Sequence, residues 1–430
     1  MQTNFNIAQL ANPDIEHAEK ILRSCVHCGF CLATCPTYQI KGDERDSPRG
    51  RIYIIKDVLE NNKKPDKTAV RHIDRCLSCL SCMTTCPSGV DYMHLVDHAR
   101  YRIEESSFRI WHDRLLRKLL SYVLVRPQLM RLALHLGKYP IHIFSLMPGK
   151  FGAIGRLGKI KIPNQSKFSK PQTFLPKGKR IARVALLAGC VQQVVGPQIN
   201  ESAVRLLTKM GCEVTVIDGF GCCGALPQHM GKREEASSLA RRNLIALSIE
   251  EKKNGNFDSF IVTTSGCGTT LKDYEKVLAS EPDLNRDSRR FASLVADISE
   301  FIHKYDTTIP EPISKNIRVA YHPACSLQHG QKVVEAPKEL LKKAGYKVLN
   351  IPDSHICCGS AGTYNLLQPE IATELQIQKA VNINSIKPDI VATGNLGCIL
   401  QINQSVEVPV LHIVELLDWA SGGPKPEILN

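Results

Sequence analysis

The chain has 430 residues, too many for one hydrophobic core, so two to four domains are expected. With 43% hydrophobic and 23% charged residues it has an ordinary globular composition, which excludes a disordered chain. The net charge of +13 invites a nucleic-acid reading, but the excess is confined: between Phe108 and Lys170 thirteen Lys and Arg stand against one acidic residue, Asp113, and the remainder is nearly neutral.

At the N-terminus, Met1 to Lys20 carry Asp14, Glu16 and Glu19, with no basic stretch leading into an apolar one, so no secretory signal is expected. The seventeen cysteines are therefore expected as reduced thiols of a cytoplasmic protein, available to hold something inorganic, and not as disulfides.

Residues 1–105 form the first expected domain. Cys25-x-x-Cys28-x-x-Cys31-x-x-x-Cys35-Pro36 and Cys76-x-x-Cys79-x-x-Cys82-x-x-x-Cys86-Pro87 each carry the run of a two-cluster bacterial ferredoxin. Three thiolates at two-residue intervals wrap one face of a cubane, while the proline ends the turn and sends the fourth to the other cluster. This assigns Cys25, Cys28, Cys31 and Cys86 to one [4Fe-4S] cluster, and Cys76, Cys79, Cys82 and Cys35 to a second. Zinc is the competing occupant, but its sites usually use two CxxC pairs without the additional cysteine and proline. The forty residues between the motifs, with helix-forming positions from Arg51 to Glu60, predict a helical insert. His27, between two ligands, reads as a donor to the cluster's surroundings or a solvent-facing residue. Arg49 and Arg51 either bring positive charge to the clusters, raising their potential, or lie on the surface.

Residues 106–178 are expected as a basic helical linker. Its longest apolar tract, Leu115 to Leu136, is interrupted by Arg117, Lys118, Arg126, Pro127 and Arg131, which a membrane-spanning helix would not tolerate. Trp111, Leu115, Leu116, Leu119 and Leu120 alternate with Arg109, Arg114, Arg117 and Lys118, a pattern that suits peripheral contact with an anionic membrane, docking to an acidic partner, or a solvated linker helix. No nucleic-acid module accompanies the charge, and no nucleic-acid partner is expected.

The remainder, residues 179–310 and 311–430, is an internal duplication. Cys190 is followed after 31 residues by Cys222-Cys223-Gly224, and Cys325 after 31 residues by Cys357-Cys358-Gly359, at an offset of 135. The flanks repeat: Arg183 to Cys190 matches Arg318 to Cys325, Leu206 to Gly211 matches Leu340 to Gly345, and each copy has a late cysteine, Cys267 or Cys398. In each copy a strand leads to the first cysteine, a helix ends at the glycine, and a second strand (Val214 to Ile217; Val348 to Ile351) leads to the double cysteine, which predicts parallel α/β units. The glycine after the pair lets the chain turn so that both sulfurs face one centre. Cys267 and Cys398, in glycine-rich strings, are expected in loops at strand ends, where α/β sheets bind ligands. Metal ligation is therefore expected at Cys190, Cys222, Cys223 and Cys267, and at Cys325, Cys357, Cys358 and Cys398. His322 and His355 are candidate tuning groups of the second copy.

The two Cys-x31-Cys-Cys-Gly units resemble the cysteine-rich CCG domains of heterodisulfide reductases and of flavin dehydrogenase partners. Together with the tandem ferredoxin motif, Gly42-Asp-Glu and Ser47-Pro-Arg-Gly-Arg51, nearly the whole chain resembles the glycolate oxidase iron-sulfur subunits. The resemblance implies an α+β multidomain fold: an α-helical ferredoxin module with two clusters, then two tandem α/β cysteine-rich domains. It further implies an oxidoreductase subunit that relays electrons from a flavoprotein, which oxidises glycolate or a related 2-hydroxy acid, to a quinone or other membrane acceptor on the inner face of the cell membrane. Thr264 and Asn395 stand where the reductases often carry a further cysteine, which leaves a four-thiolate cubane, zinc or nothing in these sites. No catalytic residue is expected, for the chain shows no Ser-His-Asp set, dinucleotide loop or P-loop. The alternatives are a heterodisulfide-reductase-like enzyme, or the iron-sulfur subunit of a lactate or glycerol-3-phosphate dehydrogenase.

Overall fold

The computed structural model describes residues 1–106, 109–137, 147, 149–157, 160–305 and 316–429. Phe108, Lys138 and Lys159 of the basic segment, and the expected boundary between residues 310 and 311, lie outside the described residues. The fold is α+β: a helical N-terminal module followed by two α/β units, each on its own mainly parallel sheet.

In the N-terminal module the helix Pro13–Ser24 starts where Asn12 accepts a hydrogen bond from the Asp14 N–H, and Pro48–Glu60 starts where Ser47 Oγ accepts one from the Gly50 N–H at 3.0 Å. Proline occupies the first turn of both, where its missing N–H costs nothing. These helices and Tyr92–Glu105 bury Ile15, Leu22, Ile52, Ile55, Leu95 and Val96, and Cys25, Cys76 and Cys82 lie in the same cluster. Each such apolar side chain removed from water contributes about 1.5–3 kcal/mol, so the cysteine runs are fixed on a packed core.

The first sheet has the order β1-β3-β2-β4-β5, with β1 Gln172–Phe174, β2 Ala182–Leu186, β3 Cys212–Val216, β4 Ser259–Val262 and β5 Val295–Asp297. The second has the order β7-β6-β8-β9, with β6 Arg318–His322, β7 Lys347–Asn350, β8 Ile390–Thr393 and β9 Val410–His412. All pairs are parallel except β1 with β3, so residues 172–174, within the stretch read as linker, form an antiparallel edge of the first sheet. The equivalent registers Val184 to Val214 and Val319 to Val348 show the duplication in three dimensions.

The two sheets share one core. Val184, Leu207 and Val214 of the first pack in one cluster with Val319, Leu341 and Leu417 of the second. The helices Pro197–Lys209 and Ile413–Ala420 lie together across this seam, with Arg205 Nη2 2.7 Å from Asp418 Oδ2. His412 Nε2 meets the Thr263 carbonyl at 2.6 Å, joining the end of β9 to the end of β4. Among the described residues, no helix is long and apolar enough to cross a membrane.

Candidate metal centres

The two ferredoxin runs bend in the same way. His27 and Gly29 take φ of 58° and 85°, and their counterparts Ser78 and Leu80 take 51° and 63°. Left-handed backbone at non-glycine residues costs on the order of 1–3 kcal/mol and persists only where the surroundings impose it; here it curls each run so that successive thiols face inward. His27 is thus a turn residue, its ring 4.5 Å from that of Tyr53 and its nitrogens unpaired.

Two cavities result. One is lined by Cys25, Cys28, Cys31 and Cys86, with Cys82 on its wall; the other is lined by Cys35, Cys76, Cys79 and Cys82. The first therefore has three cysteines of its own run and meets Cys82 and Cys86 of the other, and the second has three of its own run and meets Cys35 of the other, Pro36 and Pro87 following Cys35 and Cys86 in the chain. Five thiols around the first cavity and four around the second, with no carboxylate lining either, form soft donor sets that fit an iron-sulfur cluster.

Arg51 is only 1% exposed and lies against the second cavity. Its Nε donates to the His72 carbonyl at 2.7 Å, its Nη2 to Thr37 Oγ1 at 3.0 Å, and its Nη1 stands 3.9 Å from Cys35 Sγ. Asp46, fully buried, balances it at 3.5 Å while holding Arg75 at 2.7 Å. A surface role for Arg51 is excluded. Arg49 is half-buried over the first run, donating to the His27 carbonyl at 3.2 Å.

In each duplicated site the four cysteines form a chain of contacts. Cys190 Sγ lies 3.4 Å from Cys222 Sγ, Cys222 touches Cys223, and Cys223 touches Cys267. Cys325 Sγ lies 3.9 Å from Cys357 Sγ, Cys357 touches Cys358, and Cys358 touches Cys398. Gly224 and Gly359 both have φ of 89°, and a Cβ on Gly359 would run into the Ala372 carbonyl, so glycine is required there. The late cysteines are not in loops, as the glycine-rich strings predict. Cys267 and Cys398 lie in the first turns of the helices Ser265–Lys272 and Leu396–Ile402, directly after β4 and β8. The glycines stay helical because tertiary packing outweighs their weak propensity: Ser265 Oγ meets Ser326 Oγ of the other copy at 2.7 Å, and Cys398 and Ile402 are buried in the core of their own copy. Thr264 and Asn395 are the residues preceding these helices, and the Asn395 amide stands 3.4 Å from Cys398 Sγ.

Contact with Cys222 and burial push the Cys190 thiol well up, and contact with Cys357 and burial do the same to Cys325. Thiols packed this closely in an apolar setting ionise together only if a cation replaces their protons, as a thiolate-binding metal does. Cys212, the remaining cysteine, sits in the core common to the sheets.

The two sites differ in their neighbours. Cys79 lies beside Cys325 and Cys357, in one cluster with Leu77 and Tyr364, whose hydroxyl donates to the Arg75 carbonyl at 2.9 Å. The first site instead packs among Phe260, Tyr274 and Phe291. Sequence reasoning missed Lys379, 2% exposed near Cys357 and Cys358, with Nζ donating to the Asp353 carbonyl at 2.8 Å; a lone lysine in a helix gives no signal of this. His355 is half-buried, and its carbonyl lies 3.3 Å from His329 Nε2.

The basic segment divides by face. Trp111, 71% exposed, continues as an outward apolar row through Leu115, Leu119 and Tyr122 of the helix Trp111–Leu124. Arg109 and Arg117 turn inward instead, to Asp74 at 2.5 and 2.9 Å.

Comparison with known proteins places residues 21–90 in the 4Fe-4S dicluster domain, and residues 184–272 and 319–403 in the cysteine-rich domain family. The chain is 36% identical over 427 residues to the glycolate oxidase iron-sulfur subunit of Escherichia coli (strain K12), covering 98% of this chain and 99% of that one. It is 30% identical to the probable glycolate oxidase iron-sulfur subunit of Bacillus subtilis (strain 168), at 98% and 99% coverage. The crystal structure of a hypothetical protein from Helicobacter pylori matches 97% of this chain and 74% of its own, with a TM-score of 0.55 and 12% identity, a likeness of fold.

Proposed function

The chain belongs to the glycolate oxidase iron-sulfur subunit family, and from that premise we propose that it is the electron-transferring subunit of a flavin-dependent 2-hydroxy acid oxidase, with glycolate as the first candidate substrate. Cys25, Cys28, Cys31 and Cys86 hold one [4Fe-4S] cluster, and Cys35, Cys76, Cys79 and Cys82 hold the other. When bound, such clusters exchange single electrons, which divides the two-electron yield of hydroxy-acid oxidation into unit steps. The observation that carries the reading is the position of Cys79 against Cys325 and Cys357, which sets the second ferredoxin site and the second cysteine-rich site side by side inside one protein.

The residues around them do the rest. Arg51 keeps a positive charge at Cys35, Leu77 and Tyr364 exclude water from the boundary between the sites, and Val26, which lines the first cavity and is exposed, leaves that site open to a donor. The substrate site belongs to a flavoprotein partner. The outward row from Trp111 to Tyr122, beside Lys118, suits peripheral contact with the inner face of the membrane, where a quinone accepts the electrons.

Anaerobic addition of glycolate to the chain co-purified with its flavoprotein tests this. Bleaching of the iron-sulfur visible absorption in the complex, and none in the isolated chain, is expected. An unresponsive complex, tested also with lactate and glycerol 3-phosphate, would overturn it.

A further inference from the structure

Among the positions beside the sulfurs at which the two cysteine-rich copies differ, one brings in an unpaired imidazole. Three residues before the first cysteine, the first copy has Leu187 and the second has His322. Leu187 is buried in the same apolar cluster as Cys190, Cys222 and Cys223. His322 ends β6, is 1% exposed, and neither of its ring nitrogens has a hydrogen-bond partner. A ligating atom of His322 and the sulfurs of Cys358 and Cys398 all lie within 4.8 Å of one another.

A buried polar group left unpaired costs about 1–3 kcal/mol, so an imidazole at this position needs an explanation. A residue that merely adjusts a metal's surroundings does so by donating a hydrogen bond, as the Asn395 amide is placed to do at 3.4 Å from Cys398 Sγ. His322 makes none. A packing role is met at the same place in the first copy by leucine, without the cost. What remains for two free nitrogens beside two buried sulfurs is coordination.

We infer that His322 is a nitrogen ligand to the metal of the second cysteine-rich site, beside Cys358 and Cys398, while the first site, with Leu187, presents sulfur alone. This rests on the reading that the second site holds a metal. The donor set suits an ion that accepts imidazole and thiolate together, zinc or iron. The consequence is functional asymmetry: both copies carry four cysteines, but in a four-coordinate centre His322 takes the place of one of the thiolates, so the second centre carries one negative charge fewer than the first, which raises the potential of a redox-active centre and, for zinc, leaves a less anionic structural site.

The full chain, purified anaerobically, would be compared as wild type, His322→Leu, which copies the first site, and His322→Cys, which keeps a donor. Metal content is measured first, with Cys398→Ser and Cys267→Ser assigning metal to either copy. If the second site holds zinc, absorption at the zinc edge should show a nitrogen neighbour at about 2.0–2.1 Å beside sulfurs at about 2.3 Å, lost in both His322 variants. If it holds iron, pulsed electron paramagnetic resonance should show a nitrogen coupling that both variants abolish. His322→Cys should retain the metal with sulfur-only coordination, and His322→Leu should lose at least half of it. A wild-type second site with metal but sulfur-only coordination would overturn the ligand assignment and leave the metal reading standing. No metal lost on Cys398→Ser would overturn both.

Discussion

Cys35→Ser should disturb the cluster held by Cys76, Cys79 and Cys82, although Cys35 belongs to the other run, because Cys35 lines their cavity. Electron paramagnetic resonance of the reduced protein should show one cluster altered and the other unchanged; loss of only the signal tied to Cys25, Cys28 and Cys31 would refute the crossed set. At this scale the sequence was most legible where chemistry demands spacing: the runs and the proline after each fourth cysteine identify eight thiols. It was least legible where a role depends on distant atoms. His27 has its role through φ, and Arg51 has its role because Asp46, Thr37 and the His72 carbonyl converge on it. Neither convergence has a periodic signature. A second residue test lies at Asp74, which neutralises the buried Arg109 and Arg117. Asp74→Ala removes their common partner but leaves Arg109 with Glu104 and Asp113 and Arg117 with Asp113, so chemical denaturation should show a loss of about 1.5–3 kcal/mol. Arg289→Ala, breaking the exposed pair with Glu275, should cost almost nothing by the same measurement.

The helix Tyr92–Glu105 joins the ferredoxin module to the first cysteine-rich unit through His94, whose Nδ1 is 2.6 Å from Asp91 and whose Nε2 is 3.0 Å from Asp273. Burial lowers the affinity of His94 for its proton, but the hydrogen bonds to Asp273 and Asp91 outweigh this and raise its pKa to about 10. A histidine raised in the folded state stabilises fully below its unfolded value near 6.5, and the contribution fades as pH rises through about 10. Docking of these two units should therefore weaken between pH 7 and 10, by about 2 kcal/mol after allowance for the paired carboxylates. Thermal melts over that range should fall for the wild type and stay flatter for His94→Gln, with His17, Asp97, His98 and Lys276 among the other titratable neighbours. Strands and helices of the duplicated units follow the predicted order because apolar runs and terminal glycines encode them locally. The helical placement of Cys267 and Cys398 was not legible, since two glycines argue for a loop and the helices are held by tertiary packing from distant parts of the chain. The inward turn of Arg109 and Arg117 was equally hidden, for Asp74 lies far away in sequence.

Across the whole molecule, the expected path places the second cysteine-rich site between the ferredoxin module and the acceptor. Cys357→Ser and Cys358→Ser should abolish electron delivery by the assembled complex while the N-terminal clusters keep their spectra, whereas Cys222→Ser and Cys223→Ser should act mainly on stability. Wild-type turnover with Cys357 and Cys358 replaced would end the path within the ferredoxin module. The duplication itself was visible as equal intervals between cysteines, but the joining of two sheets around one core was not, because a central strand such as Ala182–Leu186 carries only the statement that both of its faces are buried. That common core has a consequence for how the protein opens. The repeat is a unit of inheritance without being a unit of folding: a half cut out between β5 and β6 would expose Val184, Leu207 and Val214 or their counterparts to water. The two sheets should therefore behave as a single cooperative foldon, with the central amides of β2 and β6 exchanging hydrogen for deuterium at one common rate set by their joint opening. Two well-separated rates would show that each half closes on its own.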